Sequence, residues 1–235
     1  MILKNVNSNE EMGRLAADIF TDAIRAKPDI VLGLATGSTP LTLYGELVRR
    51  YGEGKVDFSE VRTVNLDEYV GLSGSHNQSY RYFMDENLFK YINIDLGDTN
   101  LPDGLAENLA AECERYNEVI DGLGGIDLQL LGIGLNGHLG FNEPSDAFSL
   151  RTQVTSLTES TINANSRFFS NPSEVPRLAI TMGIQDIMRA KKIILVADAK
   201  KKSIVEKAMN GEITPQVPAS ILQSHADVTI VLSEE

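Results

Sequence analysis

The stretch Asp29-Ile-Val-Leu-Gly-Leu-Ala-Thr-Gly-Ser-Thr-Pro-Leu-Thr-Leu-Tyr-Gly-Glu-Leu-Val-Arg-Arg50 changes character halfway along. Its first part, "DIVLGLA" (29–35), is apolar at consecutive positions and rich in β-propensity, as a strand covered on both faces must be. Its second part, "PLTLYGELVRR", repeats at helical spacing. Thr39 suits an N-cap and Pro40 the first helical position, so a strand feeds a helix through Ala35-Thr-Gly-Ser-Thr39. The same alternation recurs along the chain. Further apolar runs are "VRTVNL" (61–66), "IDLQLLGIG" (126–134), "RTQVTSL" (151–157), "RLAITMG" (177–183), "KIILVAD" (192–198) and "DVTIVL" (227–232). Helical segments are expected near 9–26, 40–52, 78–90, 105–121, 184–190, 200–210 and 218–224. Strands alternating with helices imply parallel crossovers, hence an open α/β sheet. No linker or repeat divides the 235 residues, so a single domain over 1–235 is expected.

In such sheets ligands bind beyond the carboxyl ends of the strands, so chemistry is sought just after each apolar run. At the first run, Thr36, Gly37, Ser38 and Thr39 precede a helix start whose free N–H groups and positive dipole end suit a phosphate. A plain capped turn has the same pattern. No Gly-Lys-Ser/Thr follows, so nucleoside triphosphate binding is not indicated. At the second, "VRTVNLDEYVGL" (61–72) presents Asp67 and Glu68, and strand alternation lets only one of them enter a shared cleft. Asp67 is the choice. His76, in "GSHNQSYRYF" (74–83), reads as a loop histidine.

The third run ends in "GIGLNGHLGFNEP" (132–144). Gly132, Gly134 and Gly137 satisfy G-x-G-x-x-G, with Glu159 about twenty residues on, so dinucleotide binding has to be weighed. Pro144 argues against the long helix that motif needs. The alternative is a glycine-shaped loop that holds His138 out of the core, with Asn136 and Glu143 available to orient its imidazole. A buried structural histidine remains the third reading.

Composition narrows the classes. A formal net charge of −12 argues against a broad nucleic-acid surface and requires any anionic ligand to meet a local positive site. No run approaches a membrane span, and the acidic "MILKNVNSNEEMG" start is unlike a signal peptide, so a cytoplasmic location is expected. The lone Cys113 reads as a buried small hydrophobe. His76, His138 and His225 lack metal-ligand spacing, and no G-x-S-x-G is present, so neither a metal site nor a serine hydrolase is expected.

Taken together, "LGLATGSTPLTLY", "NLDEYVGL", "SHNQSYRYFM" and "GIGLNGHLGFNEP", with the later "NANSRFF" (163–169), resemble the glucosamine-6-phosphate deaminase family through nearly the whole chain. The resemblance implies a modified Rossmann-like three-layer α/β fold with a mostly parallel central sheet. It implies conversion of glucosamine 6-phosphate and water to fructose 6-phosphate and ammonia, with no cofactor. By resemblance Asp67 is the proton-transfer base, His138 the ring-opening catalyst, and Glu143 with Asn136 position and tune that histidine. The phosphate would meet Thr36, Gly37, Ser38 and Thr39, Arg167, and a lysine of "ADAKKKS", with Lys201 chosen. Longer relatives carry aspartate at the place of Asn136, so a charged Asp-His pairing is not expected here. They also carry a C-terminal extension tied to hexamers, so a monomer or small homo-oligomer is expected. The implied partner is a phosphorylated amino sugar, with no nucleic acid and no membrane. Rival readings are a 6-phosphogluconolactonase on the same scaffold and a non-catalytic sugar-phosphate sensor. The segment "VTSLTESTINANSRFF" (154–169) is a candidate lid.

Overall fold

A computed structural model describes residues 1–159, 162, 169, 171 and 175–235. Its main sheet is parallel and seven-stranded, with spatial order β1 (Ile2–Val6), β10 (Val228–Ser233), β9 (Lys192–Ala197), β6 (Leu128–Leu131), β2 (Val31–Leu34), β3 (Arg62–Asn65) and β5 (Thr99–Asn100). Every residue of β2, β6 and β10 is buried. Side chains alternate between faces, so consecutive burial means both faces of the central sheet are covered, as the apolar runs demand. The expected α/β architecture is therefore present.

Helices among the described residues include α1 (Asn9–Ala26), α2 (Leu41–Gly52), α3 (Tyr80–Asn87), α4 (Leu109–Gly122), α5 (Ile184–Met188) and α6 (Lys202–Asn210). In α1 the Ser8 hydroxyl accepts the Glu11 N–H at 3.1 Å, and Met12, Ala16, Phe20 and Ile24 form one buried stripe. Helix α2 starts one residue later than expected. Pro40, not Thr39, occupies the cap, and no side chain bonds there, because a proline side chain carries no acceptor for the free N–H groups of the first turn. The segment expected from 105 becomes helical only at Leu109, where the Asn108 side chain accepts two N–H bonds at 3.1 Å. Residues 218–224 form a 3-10 helix. No described helix is long and apolar enough to cross a membrane.

Two apolar runs do not join the main sheet. A second, antiparallel sheet pairs β4 (Asp67–Tyr69) with β8 (Leu178–Thr181), and β8 with β7 (Gln153–Ser156). The half-exposed pattern of β7 suits a sheet with one open face. Single-residue Leu66 joins the sheets: its N–H donates to Leu34 O at 3.1 Å and its carbonyl accepts the Met182 N–H at 2.7 Å. Below this junction lies a separate apolar cluster of Tyr69, Phe141, Leu157 and Ala179.

Candidate active site

The chain runs from β2 outward to β3 and β5, then returns to β6 on the other side of β2 and continues to β9 and β10. The reversal opens a crevice at the carboxyl ends of β2 and β6. Loops leaving β9, β6, β2 and β3 therefore stand side by side, about 14 Å across at ~4.8 Å per strand. Buried tyrosines fix two of these exits. The Tyr44 hydroxyl donates to Ala35 O at 2.5 Å, and that of Tyr116 to Asn65 O at 2.6 Å.

The loop after β2 holds Thr36 to Thr39. Gly37 has φ of 103° and open space where a Cβ would stand, so the backbone is approachable. The alternation of β4 sends Asp67 and Glu68 to opposite sides, as anticipated. Asp67 is 6% exposed, and no described residue donates a hydrogen bond to its carboxylate. Burial first, and the neighbouring Glu68 charge second, push its pKa up to about 8. Glu68 turns inward and accepts N–H bonds from Tyr69 at 2.8 Å and from Tyr80 and Arg81 at 2.9 Å each. Burial raises it to about 7 against the pull of those donors.

The loop after β6 folds back without a helix, through Gly134 N–H to His138 O at 3.0 Å and an isolated bridge between Leu139 and Asn142. Dinucleotide binding loses its helix N-terminus, so the G-x-G-x-x-G match carries nothing here. The glycines have a different purpose. A Cβ on Gly134 would collide with the His138 imidazole, which lies flat over it. A Cβ on Gly140 would stand 3.2 Å from Asp67 Oδ2 and 3.0 Å from Thr181 Oγ1. The histidine loop thus passes close enough to the Asp67 carboxylate that a side chain at Gly140 would crowd it. His138 Nδ1 lies 3.2 Å from Glu143 Oε1, an ion-pair distance without hydrogen-bond alignment. Asn136 acts one step away: its Nδ2 donates to Glu143 Oε2 at 2.6 Å and its Oδ1 accepts the His138 backbone N–H at 3.2 Å.

Lys201 ends a 3-10 turn after β9, half-buried, and desolvation lowers its ammonium pKa. Among the described residues none forms an ion pair with it. Arg167 and half of the candidate lid, 154–169, lie outside the described residues. His76 is exposed and its Nδ1 accepts the Gln78 N–H at 3.1 Å, as a loop histidine would. Among the described residues no His/Cys/Asp/Glu group is arranged to hold a metal. A cleft of about 460 Å³, lined by Phe141, Asn142, Glu143, Ser149 and Gln153, opens beside Glu143. Another hollow, about 570 Å³ around Arg25, Tyr51 and Asn93, holds none of the candidate residues.

Comparison with known proteins gives the family. A family described as glucosamine-6-phosphate isomerases/6-phosphogluconolactonase matches residues 6–231. The chain belongs to this family. Glucosamine-6-phosphate deaminase of Clostridium perfringens is 56% identical over 227 residues, covering 96% of this chain and 94% of that protein. The corresponding Lachnoclostridium phytofermentans protein is 56% identical over 228 residues, covering 97% of each. A solved structure described as a monomeric glucosamine-6-phosphate deaminase matches with a TM-score of 0.97 and 44% identity, covering 100% of this chain and 98% of that one.

Several residues beside the candidate set escaped sequence reasoning. Tyr80 stacks on Phe141, centroids 6.0 Å apart and 4° from parallel, and lies 4.8 Å from the Tyr69 ring. Its phenol donates to Tyr69 Oη at 3.3 Å, while Thr36 and Asp67 both act on it. Thr181 Oγ1 accepts the Phe141 N–H at 3.1 Å, tying the histidine loop to β8. No local pattern marks these residues, because each matters through a partner distant in sequence.

Proposed function

We propose that this chain converts glucosamine 6-phosphate and water to fructose 6-phosphate and ammonia, as one catalytic domain over residues 1–235. The observation that carries the reading is the approach of Gly140 in the histidine loop to the Asp67 carboxylate, so close that a Cβ there would stand 3.2 Å from Oδ2, beside the strand-order reversal. A carboxyl base and an imidazole then face one crevice whose neighbouring loop suits a phosphate.

The chemistry sets the order of events. The C2 proton of a closed amino sugar is too weakly acidic to remove, whereas an aldehyde at C1 delocalises the resulting charge. His138 therefore acts first, passing a proton between the anomeric hydroxyl and the ring oxygen, with Glu143 holding the ring and Asn136 holding Glu143. Asp67, as carboxylate, then takes the C2 proton to give an enolamine and returns a proton to C1. Water adds to the resulting C2 imine and ammonia leaves. The substrate carbonyl is the electron sink, so the reading calls for no cofactor.

A carboxyl held near pH 8 in the free chain is a strong base once ionised. The cationic amine of an arriving substrate favours that ionised form. At the other end of the sugar, the 36–39 backbone, Lys201 and Arg167 would hold the phosphate, and the binding energy orients C1 and C2. A monomer or small homo-oligomer working in the cytoplasm fits the absence of a described membrane-spanning helix and the match to a monomeric deaminase.

The test measures ammonia release from glucosamine 6-phosphate beside hydrolysis of 6-phosphogluconolactone. Ammonia release with negligible lactone hydrolysis is expected. The reverse preference would replace this reading with the lactonase one.

A further inference from the structure

Glu68 has no part in the chemistry above, yet it is a buried carboxylate one residue from the base. We propose that Glu68 is a positioning residue for the deamination, docking the first turn of α3 against β4 and strengthening Asp67 as a base through its charge. This rests on the deaminase reading of Asp67.

The docking is visible in the donors. Tyr80 and Arg81 supply first-turn N–H groups, which have no partners within a helix, and both reach Glu68 at 2.9 Å. A carboxylate there also meets the positive end of the helix dipole. Ordinary capping does not explain it, because α3 already has its own cap: the Ser79 hydroxyl accepts the Tyr82 N–H at 3.1 Å. Glu68 arrives from a different element and accepts the Tyr69 N–H of β4 as well, at 2.8 Å. It locks strand to helix. What the lock positions is Tyr80, whose ring lies on Phe141, three residues beyond His138. Loss of the lock frees one wall shared by the Asp67 strand and the His138 loop.

The electrostatic part follows from what surrounds the pair. No described lysine or arginine side chain forms an ion pair with either carboxylate; the Arg81 guanidinium turns away to Asp85 at 3.1 Å and Thr99 at 2.9 Å. Asp103, a further negative charge, acts on Glu68. Tyr80 from α3 and Tyr116 from α4 are further titratable groups acting with Asp67. A like charge without a neutralising cation makes Asp67 hold its proton more tightly. The carboxylate formed is then the more effective base, provided it ionises near the working pH.

Glu68→Gln keeps the shape and one acceptor oxygen but removes the charge. In pH profiles, the ascending limb of kcat/KM is expected to move about one pH unit lower than in the wild type. Turnover should fall about tenfold with KM changed by no more than a few-fold. A limb that does not move overturns the proposal, even if kcat falls. A second readout needs no turnover. In protein labelled with 13C at its carboxyl groups, Glu68→Gln should lower the titration midpoint of Asp67, because Glu68 ionises first and its charge then opposes the ionisation of Asp67. An unchanged midpoint overturns the proposal. Failure of the wild type to release ammonia would instead sink the deaminase reading, while the 13C titration still decides the coupling.

Discussion

Asp67 has the environment of a base kept protonated until needed: buried, unsupported by donors among the described residues, and next to Glu68. Replacing it with Asn preserves shape and removes proton transfer, so turnover should fall by roughly 10²–10⁴-fold while calorimetric affinity for the substrate changes little. Retained turnover would refute the assignment. The same substitution has a stability signature. The folded carboxyl titrates near pH 8, far above the ordinary value of 3.8, so between those limits the unfolded chain has lost a proton that the folded chain retains. Stability from this group therefore falls as pH rises through that window. Asp67→Asn should raise the melting temperature at pH 8 relative to wild type, and much less at pH 4. The gain is on the order of a few kcal/mol at about 1.4 kcal/mol per unit. Equal melting shifts at both pH values would contradict the buried-acid account. Gly134 is the second decisive residue. Gly134→Ala displaces the imidazole lying on it, and a displacement of about 1 Å can cost 10²-fold in rate. Measured kcat should drop with phosphate affinity preserved; a normal kcat would show that the ring position is not critical.

At the scale of elements, the site depends on where strands stop. Tyr44 and Tyr116, each fully buried, place hydroxyls on the last carbonyls of the strand exits after β2 and β3. Tyr44→Phe leaves Ala35 O without that donor, at a cost of about 1–3 kcal/mol in urea unfolding. It should also raise the KM for substrate, because the 36–39 loop loses its anchor. Unchanged KM with lowered stability would separate the tyrosine from the loop. The apolar runs at β2, β6, β9 and β10 were legible because strands buried on both faces leave a continuous signature. The runs at 151–157 and 177–183 were legible as strands but not as members of a second sheet. Periodicity reports which faces are buried and says nothing of the pairing partner. β4 is three residues long and begins at Asp67 itself, too short for any pattern to announce it.

For the whole molecule, the order of strands explains why residues scattered from Thr36 to Lys201 share one end of the sheet. That much follows from the α/β alternation alone, and so the candidate loops could be chosen before their contacts were known. The links between them could not. Gly140 against Asp67, Asn136 on Glu143, and Glu68 under α3 are long-range or geometric facts with no local sequence mark. Net charge also acts at this scale. A chain of formal charge −12 repels a phosphorylated sugar at a distance, so capture depends on a few local cations and N–H groups. Lys201→Ala should raise KM by tenfold or more and narrow the preference for phosphorylated over unphosphorylated sugar. An unchanged KM would move the phosphate elsewhere.

The central claim is that one sugar phosphate reaches Asp67 and His138 together. A crystal structure with the open-chain alcohol made by reducing glucosamine 6-phosphate tests it most directly. The account predicts the phosphate on the 36–39 loop, with the C1–C2 end within hydrogen-bonding distance of both the Asp67 carboxylate and the His138 imidazole. A ligand that touches one of these groups and leaves the other facing a separate surface would contradict it.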